Sequence, residues 1–153
     1  MTSATAQPVN GQDINVAAQA VRSVLEVVLA EAGTTFPPFA TMNTLAARGP
    51  QVTRDALVAE IASGLQVDEA TVRAILRGLQ SRGLVTRTSG PDSSVRVEFT
   101  PEGEAEHRRL RTLVQAATVD LYKELDPEAL ATTRLVLVAL AERAKAQLHS
   151  VED

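Results

Sequence analysis

The fold of this chain is decided by residues 53–100, which read TRDALVAEIASGLQVDEATVRAILRGLQSRGLVTRTSGPDSSVRVEFT. Thr53 and Asp68 each stand where a helix can begin, because a side-chain oxygen there accepts the free amide groups of the first turn. We therefore predict helices over about 53–63 and 68–82. Two helices joined by a short turn that contains glycine form a helix-turn-helix unit.

Glycines end both helices, and the second helix has two distinct faces. Gly64 is predicted to supply the left-handed residue that closes the first helix, and Gly83 to stop the second. Apolar residues recur along one face at Val72, Ile75, Leu76 and Leu79. The opposite face carries Ala70, Arg73, Ala74 and Arg77. The spacing predicts that the first set is buried and that the second is exposed.

A β-hairpin is predicted directly after the second helix. GLVTRTS reads as a strand, SGPDSS as a turn and VRVEFT as a second strand. Val95, Val97 and Phe99 are predicted to point inward, and Arg96 and Glu98 outward. A hairpin after a recognition helix makes a winged helix, whose helix enters the major groove of DNA while the wing reaches the phosphates or the minor groove.

Composition favours a cytoplasmic protein with one aliphatic core. The chain has 153 residues, of which 44% are hydrophobic but only 3% aromatic, and it has no cysteine. No apolar run reaches the roughly 20 residues that cross a bilayer, and the first residues do not read as a secretory signal. The net charge is −4. Acidic and basic residues balance within 53–100, so the negative excess lies outside the winged helix.

The N-terminal region predicts a partner chain. Residues 1–12 are small and polar and are predicted to be a disordered lead. Asp13 is predicted to cap a long helix over about 14–32, closed by Gly33. Apolar side chains cover most of the circumference of this helix, so it needs burial on several sides. A small monomer offers too little interior for that, and we expect dimerisation.

Aromatic and thioether side chains gather just before the helix-turn-helix. A short helix is predicted from about Pro38 to Arg48, ended by Gly49 and Pro50. Two interpretations are open for the apolar group near its start. It covers the top of the core, or it forms the wall of a small-molecule pocket, whose candidate residues are Val28, Phe36, Phe39 and Met42.

Two further helices are predicted after the wing. Thr100, Pro101 and Glu102 open a helix that runs to about Leu125. Asp126-Pro127-Glu128 repeats the signal and opens a last helix to about His149. The run RLVLVAL could be a strand by composition, but its flanks and length favour helix. The predicted fold is mainly α with a small β-hairpin, in the order α-α-α-α-β-β-α-α. It forms a single unit over 13–149, with the winged helix at about 37–100 and dimerisation helices at about 14–32 and 101–149.

The chain resembles the MarR (multiple-antibiotic-resistance regulator) family of bacterial transcription factors over about residues 13–149. The resemblance is carried by ATVRAILRGLQSRGLVTR and by VEFTPEG. It implies a homodimer, joined through the first and last helices, that binds a pseudo-palindromic double-stranded DNA operator and usually represses. It also implies a small, often aromatic or phenolic, effector that releases the DNA. The two recognition helices should then lie about 34–36 Å apart.

The candidate DNA contacts lie on the helix-turn-helix and the wing. They are Thr53, Arg54, Thr71, Arg73, Arg77, Arg87, Ser93 and Arg96. Thr53 and Arg54 stand at a helix N-terminus, which favours phosphate. Arg73 and Arg77 suit guanine edges or phosphates, although a solvated helix face would look the same. Glu69 could pair with Arg73 across one helical turn.

A second function remains open from the same residues. Asp68 and Glu69 place acids at the start of the recognition helix. Ser93 and Ser94 follow Asp92 at the wing tip, where the related regulators usually carry an arginine. This pattern also suits a winged-helix protein-interaction module that antagonises another regulator and binds DNA weakly or not at all.

Residues for catalysis or metal binding are sparse. There is no Gly-rich phosphate loop or nucleophile motif, and the two histidines, His107 and His149, are far apart in sequence. We therefore predict no enzyme activity, no metal site and no cofactor. The sequence around His107 alternates Glu and Arg residues, which predicts a solvated helix face.

Overall fold

The computed structural model describes residues 7–150. Its elements are α1 (Gly11–Glu31), α2 (Phe36–Arg48), α3 (Arg54–Leu65), α4 (Glu69–Ser81), β1 (Val85–Ser89), β2 (Val95–Phe99), α5 (Pro101–Tyr122) and α6 (Pro127–His149). A 3₁₀ turn, Gly49–Gln51, joins α2 to α3. This order confirms the predicted winged-helix arrangement, and the RLVLVAL run is helical. Within residues 7–150, no helix has the length and apolar character that crossing a membrane would require.

Helix α1 begins earlier than predicted. Asn10, not Asp13, is the N-cap: its Oδ1 accepts hydrogen bonds from the amides of Gln12 (2.8 Å) and Asp13 (3.2 Å). The Asp13 carboxylate accepts the amide of Asn10 in return (3.0 Å). This reciprocal pair satisfies the free amides of the first turn. Gly11 and Gln12, the last residues of the predicted lead, are therefore helical, while residues 1–6 lie outside the described part.

The prediction that Gly64 ends α3 is wrong. The helix continues to Leu65, which packs against the core. Gln66 then takes the left-handed conformation (φ 54°, ψ 46°). The amide of Val67 donates to the carbonyl of Ala62 (3.1 Å), which closes the helix end. Packing of Leu65 thus outweighs the local preference of glycine for this conformation.

The wing departs in part from the predicted alternation. Strands β1 and β2 pair antiparallel, with Val85 opposite Phe99. Val97 is buried, but Val95 at the far end of β2 is 47% exposed, since it lies beyond the edge of the core. The Arg96 side chain is only 15% exposed. It turns back onto the protein, where its Nη1 donates to the carbonyl of Pro50 (2.6 Å).

One aliphatic core joins α1 to α5. Its buried apolar side chains are Leu29, Phe39, Met42, Leu45, Leu57, Val58, Ile61, Ala62, Val72, Leu76, Leu79, Leu84, Val85, Val97 and Leu110. The α4 stripe lies within this core as predicted, with Ile75 partly buried beside it. Contacts divide the chain between Ala117 and Thr118, inside α5, into two compact units. The core belongs to the first unit.

Helix α6 belongs to the second unit and is exposed along its length. Leu135, Val136, Leu137, Val138 and Leu140 are each between 40 and 67% exposed. Asp126 caps the helix by accepting the amide of Ala129 (2.9 Å), as predicted from the sequence. A run of exposed aliphatic side chains on one well-formed helix is unusual for a free surface.

Candidate nucleic-acid interface

The two helices of the helix-turn-helix begin at side-chain caps. The Thr53 hydroxyl accepts the amide of Ala56 (3.2 Å), and the Asp68 carboxylate accepts the amide of Thr71 (2.7 Å). Hydrogen bonds from Thr71 lower the pKa of the Asp68 carboxyl below its usual value, because they stabilise the charged form. Both predicted caps are confirmed, and Thr71 takes part in the second.

Four arginines gather around the N-terminus of α3. The pKa of Arg54 is lowered, first by partial burial and then by the positive charges of Arg87, Arg73 and Arg77, against the opposing influence of Asp55. Arg54, Arg77 and Arg87 also border one small depression between α3, α4 and β1. The fold therefore brings together four of the predicted DNA contacts, from three different elements.

These four side chains differ in how their charge is balanced. Arg73 contacts Glu69 (3.0 Å) and Asp55 (3.3 Å) through Nη2. Among the described residues, no carboxylate pairs with Arg54, Arg77 or Arg87. Arg77 and Arg87 are exposed and Arg54 is half-buried. Three guanidinium groups without an ion pair among the described residues thus border one depression.

The arrangement suits an anion with several oxygens. A helix N-terminus presents free amides and a partial positive charge, and guanidinium groups bind phosphate through paired hydrogen bonds. An anion placed among Arg54, Arg77 and Arg87 would also relieve the repulsion that lowers the pKa of Arg54. The phosphate backbone of a nucleic acid provides such anions in a row.

Arg96, another predicted contact, is used inside the wing. Its Nη1 binds the carbonyl of Pro50 and its Nη2 lies 3.4 Å from Asp92. Hydrogen bonds from Ser94, with a smaller effect of Arg96, lower the pKa of Asp92 to about 2. A Cβ at Gly90 would collide with the Nε of Arg96, so any other residue there would have to displace this side chain. Arg96 therefore fastens the hairpin to the turn before α3.

Ser93 forms the exposed tip of the wing. Its φ of 63° places it in the left-handed region, and its amide donates to the carbonyl of Gly90 (3.0 Å). Its side chain is exposed. Contact between Ser93 and DNA stays a prediction.

The residues of the predicted small-molecule pocket differ in burial. Phe39 and Met42 are buried in the core, as the first of the two interpretations requires. Phe36 is half-buried, with the guanidinium of Arg22 4.5 Å from its ring centroid. Val28 is half-buried on α1. The core packing of Phe39 and Met42 leaves them no surface to offer a ligand.

A groove that the sequence did not reveal lies between α2, β2 and α5. It has a volume of about 420 Å³ and is lined by Ala46, Phe99, Glu104, His107, Arg108, Arg111, Thr112 and Gln115. Asn43 and Ala47 line an adjoining depression with His107 and Arg111. Its lining combines apolar Ala46 and Phe99 with charged side chains of both signs, Glu104, Arg108 and Arg111. Among residues 7–150, no three His, Asp or Glu side chains meet as a metal site would require.

His107 is the buried centre of this groove, so its prediction as part of a solvated face is wrong. It is 8% exposed, and its Nε2 donates to the Oδ1 of Asn43 (2.8 Å). Burial, and then the charge of Arg111, lower its pKa. The signal was available, because Gly103, His107 and Leu110 recur at helical spacing and are all buried.

Comparisons with known proteins identify the fold. No family model and no curated protein matches the sequence. CouR from Rhodococcus jostii RHA1 bound to p-coumaroyl-CoA has a TM-score of 0.71 at 18% identity, covering 84% of this chain and 88% of that one. A MarR family protein of Mycobacterium tuberculosis in complex with p-aminosalicylic acid has a TM-score of 0.71 at 22% identity, covering 88% and 99%. Apo wild-type MarR from E. coli has a TM-score of 0.70 at 23% identity, and the match covers 88% of this chain and 98% of that one. This chain therefore has the winged-helix fold of the MarR family of transcriptional regulators.

Proposed function

We propose that this protein is a dimeric, sequence-specific DNA-binding transcriptional regulator. The observation that carries the proposal is the cluster of Arg54, Arg77 and Arg87, which have no carboxylate partner among the described residues. Duplex DNA supplies phosphates for such groups, and an exposed helix of the size of α4 fits the major groove. The net charge of −4 does not oppose this, since four arginines lie together around the N-terminus of α3.

A second copy of the chain is the partner we propose for the terminal helices. Val16 and Val27 on α1 are 58 and 62% exposed, and the aliphatic residues of α6 are exposed to a similar degree. Burial of apolar surface is the main favourable contribution to protein association. A symmetric pair would present two copies of α4 to successive major grooves, which suits a palindromic operator.

We place the effector in the groove around His107 rather than at Val28, Phe36, Phe39 and Met42. Arg108 and Arg111 supply positive charge, while Ala46 and Phe99 supply apolar surface. A small aromatic molecule with an acidic group matches that combination. Similar structures hold p-coumaroyl-CoA, p-aminosalicylic acid and salicylic acid. Binding beside Phe99, the last residue of β2, would alter the wing and release DNA, so the protein would act as a repressor.

The DNA proposal is tested by selecting ligands from a pool of random-sequence duplexes and measuring fluorescence anisotropy across a salt series. We expect one sequence to be enriched, and its affinity to fall by orders of magnitude between about 50 and 200 mM salt. Arg77→Glu should abolish binding, whereas Lys123→Glu, the same charge reversal outside the arginine cluster, should preserve it. Absence of binding at low salt, or affinity that ignores salt, would contradict the proposal. Capture of a protein partner instead would favour the interaction module.

The effector proposal is tested separately by calorimetry with salicylate as the probe. We expect binding that Arg111→Gln weakens, because the carboxylate would lose a cationic partner. Phe36→Leu, a change at the pocket predicted from sequence, serves as the matched control and should bind normally. Equal binding by wild type and Arg111→Gln would exclude the groove as the site.

A further inference from the structure

The guanidinium group of Arg73 is held by two carboxylates from different helices. Its Nη2 lies 3.0 Å from Glu69, one turn earlier on α4, and 3.3 Å from Asp55 in the first turn of α3. Its Nη1 lies 3.4 Å from Glu69. The side chain is 29% exposed, whereas those of Asp55 and Glu69 are 80 and 53% exposed. Arg73 is thus the covered member of the group, and the two acids face solvent around it.

Arg73 differs from the neighbouring arginines in being paired with carboxylates. Arg77, one turn further along α4, has no ion pair among the described residues. A guanidinium group carries five N–H donors, and the contacts to Asp55 and Glu69 occupy up to three of them. At least two donors therefore remain, the Nε–H and one N–H of Nη1, which lie on different edges of the guanidinium group, and the carboxylates fix the plane of that group.

The acids act differently on the two kinds of acceptor that DNA offers. A phosphate approaching Arg73 would be repelled by the negative charges of Asp55 and Glu69. The O6 and N7 atoms of guanine carry no formal charge, and either of them can accept a hydrogen bond from a free donor of Arg73. The carboxylates therefore penalise a backbone contact more than a base contact. Their effect is strongest on DNA that offers Arg73 no matching base.

We propose that Asp55 and Glu69 are specificity-determining residues, which reserve Arg73 for a guanine edge and keep it from binding phosphate. The proposal rests on the DNA-binding function proposed above and assigns different roles to residues of the same face. Arg54, Arg77 and Arg87 supply attraction that does not depend on sequence. Arg73, oriented by the two acids, supplies discrimination.

The test compares two duplexes of equal length, the sequence selected from the random pool and a scrambled version of it. We measure the dissociation constants and their salt dependence for wild type, Glu69→Gln and Asp55→Asn. The variants should free Arg73 for phosphate. We expect affinity for the scrambled duplex to rise roughly tenfold and its salt slope to steepen by about 0.9, the value of one added phosphate contact. Affinity for the selected duplex should change little.

A matched control is available in the same winged helix. Glu60 on α3 pairs with Arg48 on α2 at 3.0 Å. Glu60→Gln removes the same charge from a similar exposed ion pair outside the arginine cluster. We expect it to leave the ratio of the two dissociation constants unchanged. Melting temperatures of all variants separate this effect from a purely structural role, which would lower stability without changing the ratio.

The outcomes distinguish the proposed role of Asp55 and Glu69 from the proposed DNA-binding function on which it rests. If the wild-type protein enriches no sequence and binds neither duplex, the DNA-binding function is overturned and the role of the acids with it. If wild type discriminates but Glu69→Gln and Asp55→Asn keep its full discrimination, only the role of the acids is overturned. A change in ratio for Glu60→Gln as large as for Glu69→Gln would also overturn it, because total charge would then explain the result.

Discussion

The imidazole of His107 stacks on the ring of Phe99, with centroids 5.4 Å apart and planes inclined by 19°. The same imidazole donates a hydrogen bond to Asn43 on α2. One side chain of α5 thus touches both the end of the wing and the helix that covers the core. A molecule bound in the groove would contact the point where these three elements meet.

Stability should decrease in mild acid because of His107. Its lowered pKa means that the folded protein keeps the imidazole neutral, while the unfolded chain binds a proton near pH 6.5. The unfolded state therefore binds more protons as the pH falls below about 6.5, and folding is disfavoured there. We expect a melting temperature that is steady above pH 7 and declines between about pH 6.5 and 5, measured by circular dichroism.

Substitution of each histidine identifies the source of this decline. His107→Gln keeps a donor for Asn43 but cannot titrate, so its melting temperature should vary less over that interval. His149→Gln removes the other, exposed histidine and should retain the full decline. The carboxyls of Asp68 and Asp92, whose pKa values are lowered, affect stability only at more acidic pH. An identical decline in His107→Gln would show that another group is responsible.

Gly103→Ala should destabilise the fold strongly. A Cβ at this position would collide with the carbonyl oxygen of Leu84, so the first turn of α5 would have to move away from the segment between α4 and β1. Thr100 fixes that turn by donating to the carbonyl of Gly83 and accepting the amide of Gly103. Overpacking of this kind costs about 1–3 kcal/mol, and we expect the upper end because the obstacle is backbone. Urea unfolding measures the change.

Gly64→Ala is the matched control for this substitution. Gly64 lies inside α3, and a Cβ there would meet no atom within 4 Å. Alanine in a helix interior is more stable than glycine by about 0.5–1 kcal/mol. The two substitutions should therefore change stability in opposite directions. A similar response at both positions would argue against the close approach at Leu84.

The contrast between Gly103 and Gly64 illustrates which features of the fold can be predicted from the sequence. The predicted caps at Thr53, Asp68 and Asp126 are confirmed, although Asn10 takes the place of Asp13 at the start of α1. At Gly64 the packing of a neighbouring residue decides instead. Gly64 reads as a helix end, but Leu65 packs against the core, and the helix ends only at Leu65, with Gln66 as its C-cap.

In the candidate interface, too, local patterns can be predicted from the sequence but contacts between elements cannot. Helical spacing predicts the recognition helix and the exposed Arg77 correctly, whereas Arg73 is partly covered. The ion pair between Arg73 and Asp55 joins α4 to α3, and the helical periodicity of a single segment cannot predict it. Nor can it predict the turn of Arg96 toward Pro50, 46 residues away. His107 was assigned to a charged surface because its neighbours are charged, although its own spacing places it inside.

Leu135→Glu should convert the proposed dimer into a monomer. Leu135 is 67% exposed on α6, so a charge there leaves the single chain undisturbed. In a dimer joined through this helix the charge would be buried without a partner, which is strongly unfavourable. Sedimentation velocity measures the mass. Val67→Glu, at a 37% exposed valine between α3 and α4, should remain dimeric. A wild-type monomer at micromolar concentration would contradict the proposed assembly.

Arg87 on β1 and Arg96 on β2 are close in the hairpin, where Arg87 pairs with Val97 and Arg96 with Thr88. Their substitution should nevertheless affect DNA binding differently. Arg87 is exposed and has no carboxylate partner among the described residues, so Arg87→Met should reduce the salt slope of DNA binding by about 0.9. Arg96 is used between the wing and Pro50. Arg96→Met should leave the slope unchanged but speed amide hydrogen exchange at Gly90 and Ser94, since the turn loses its fastening. A reduced slope for Arg96→Met with unaltered exchange would return Arg96 to the DNA contacts predicted from sequence.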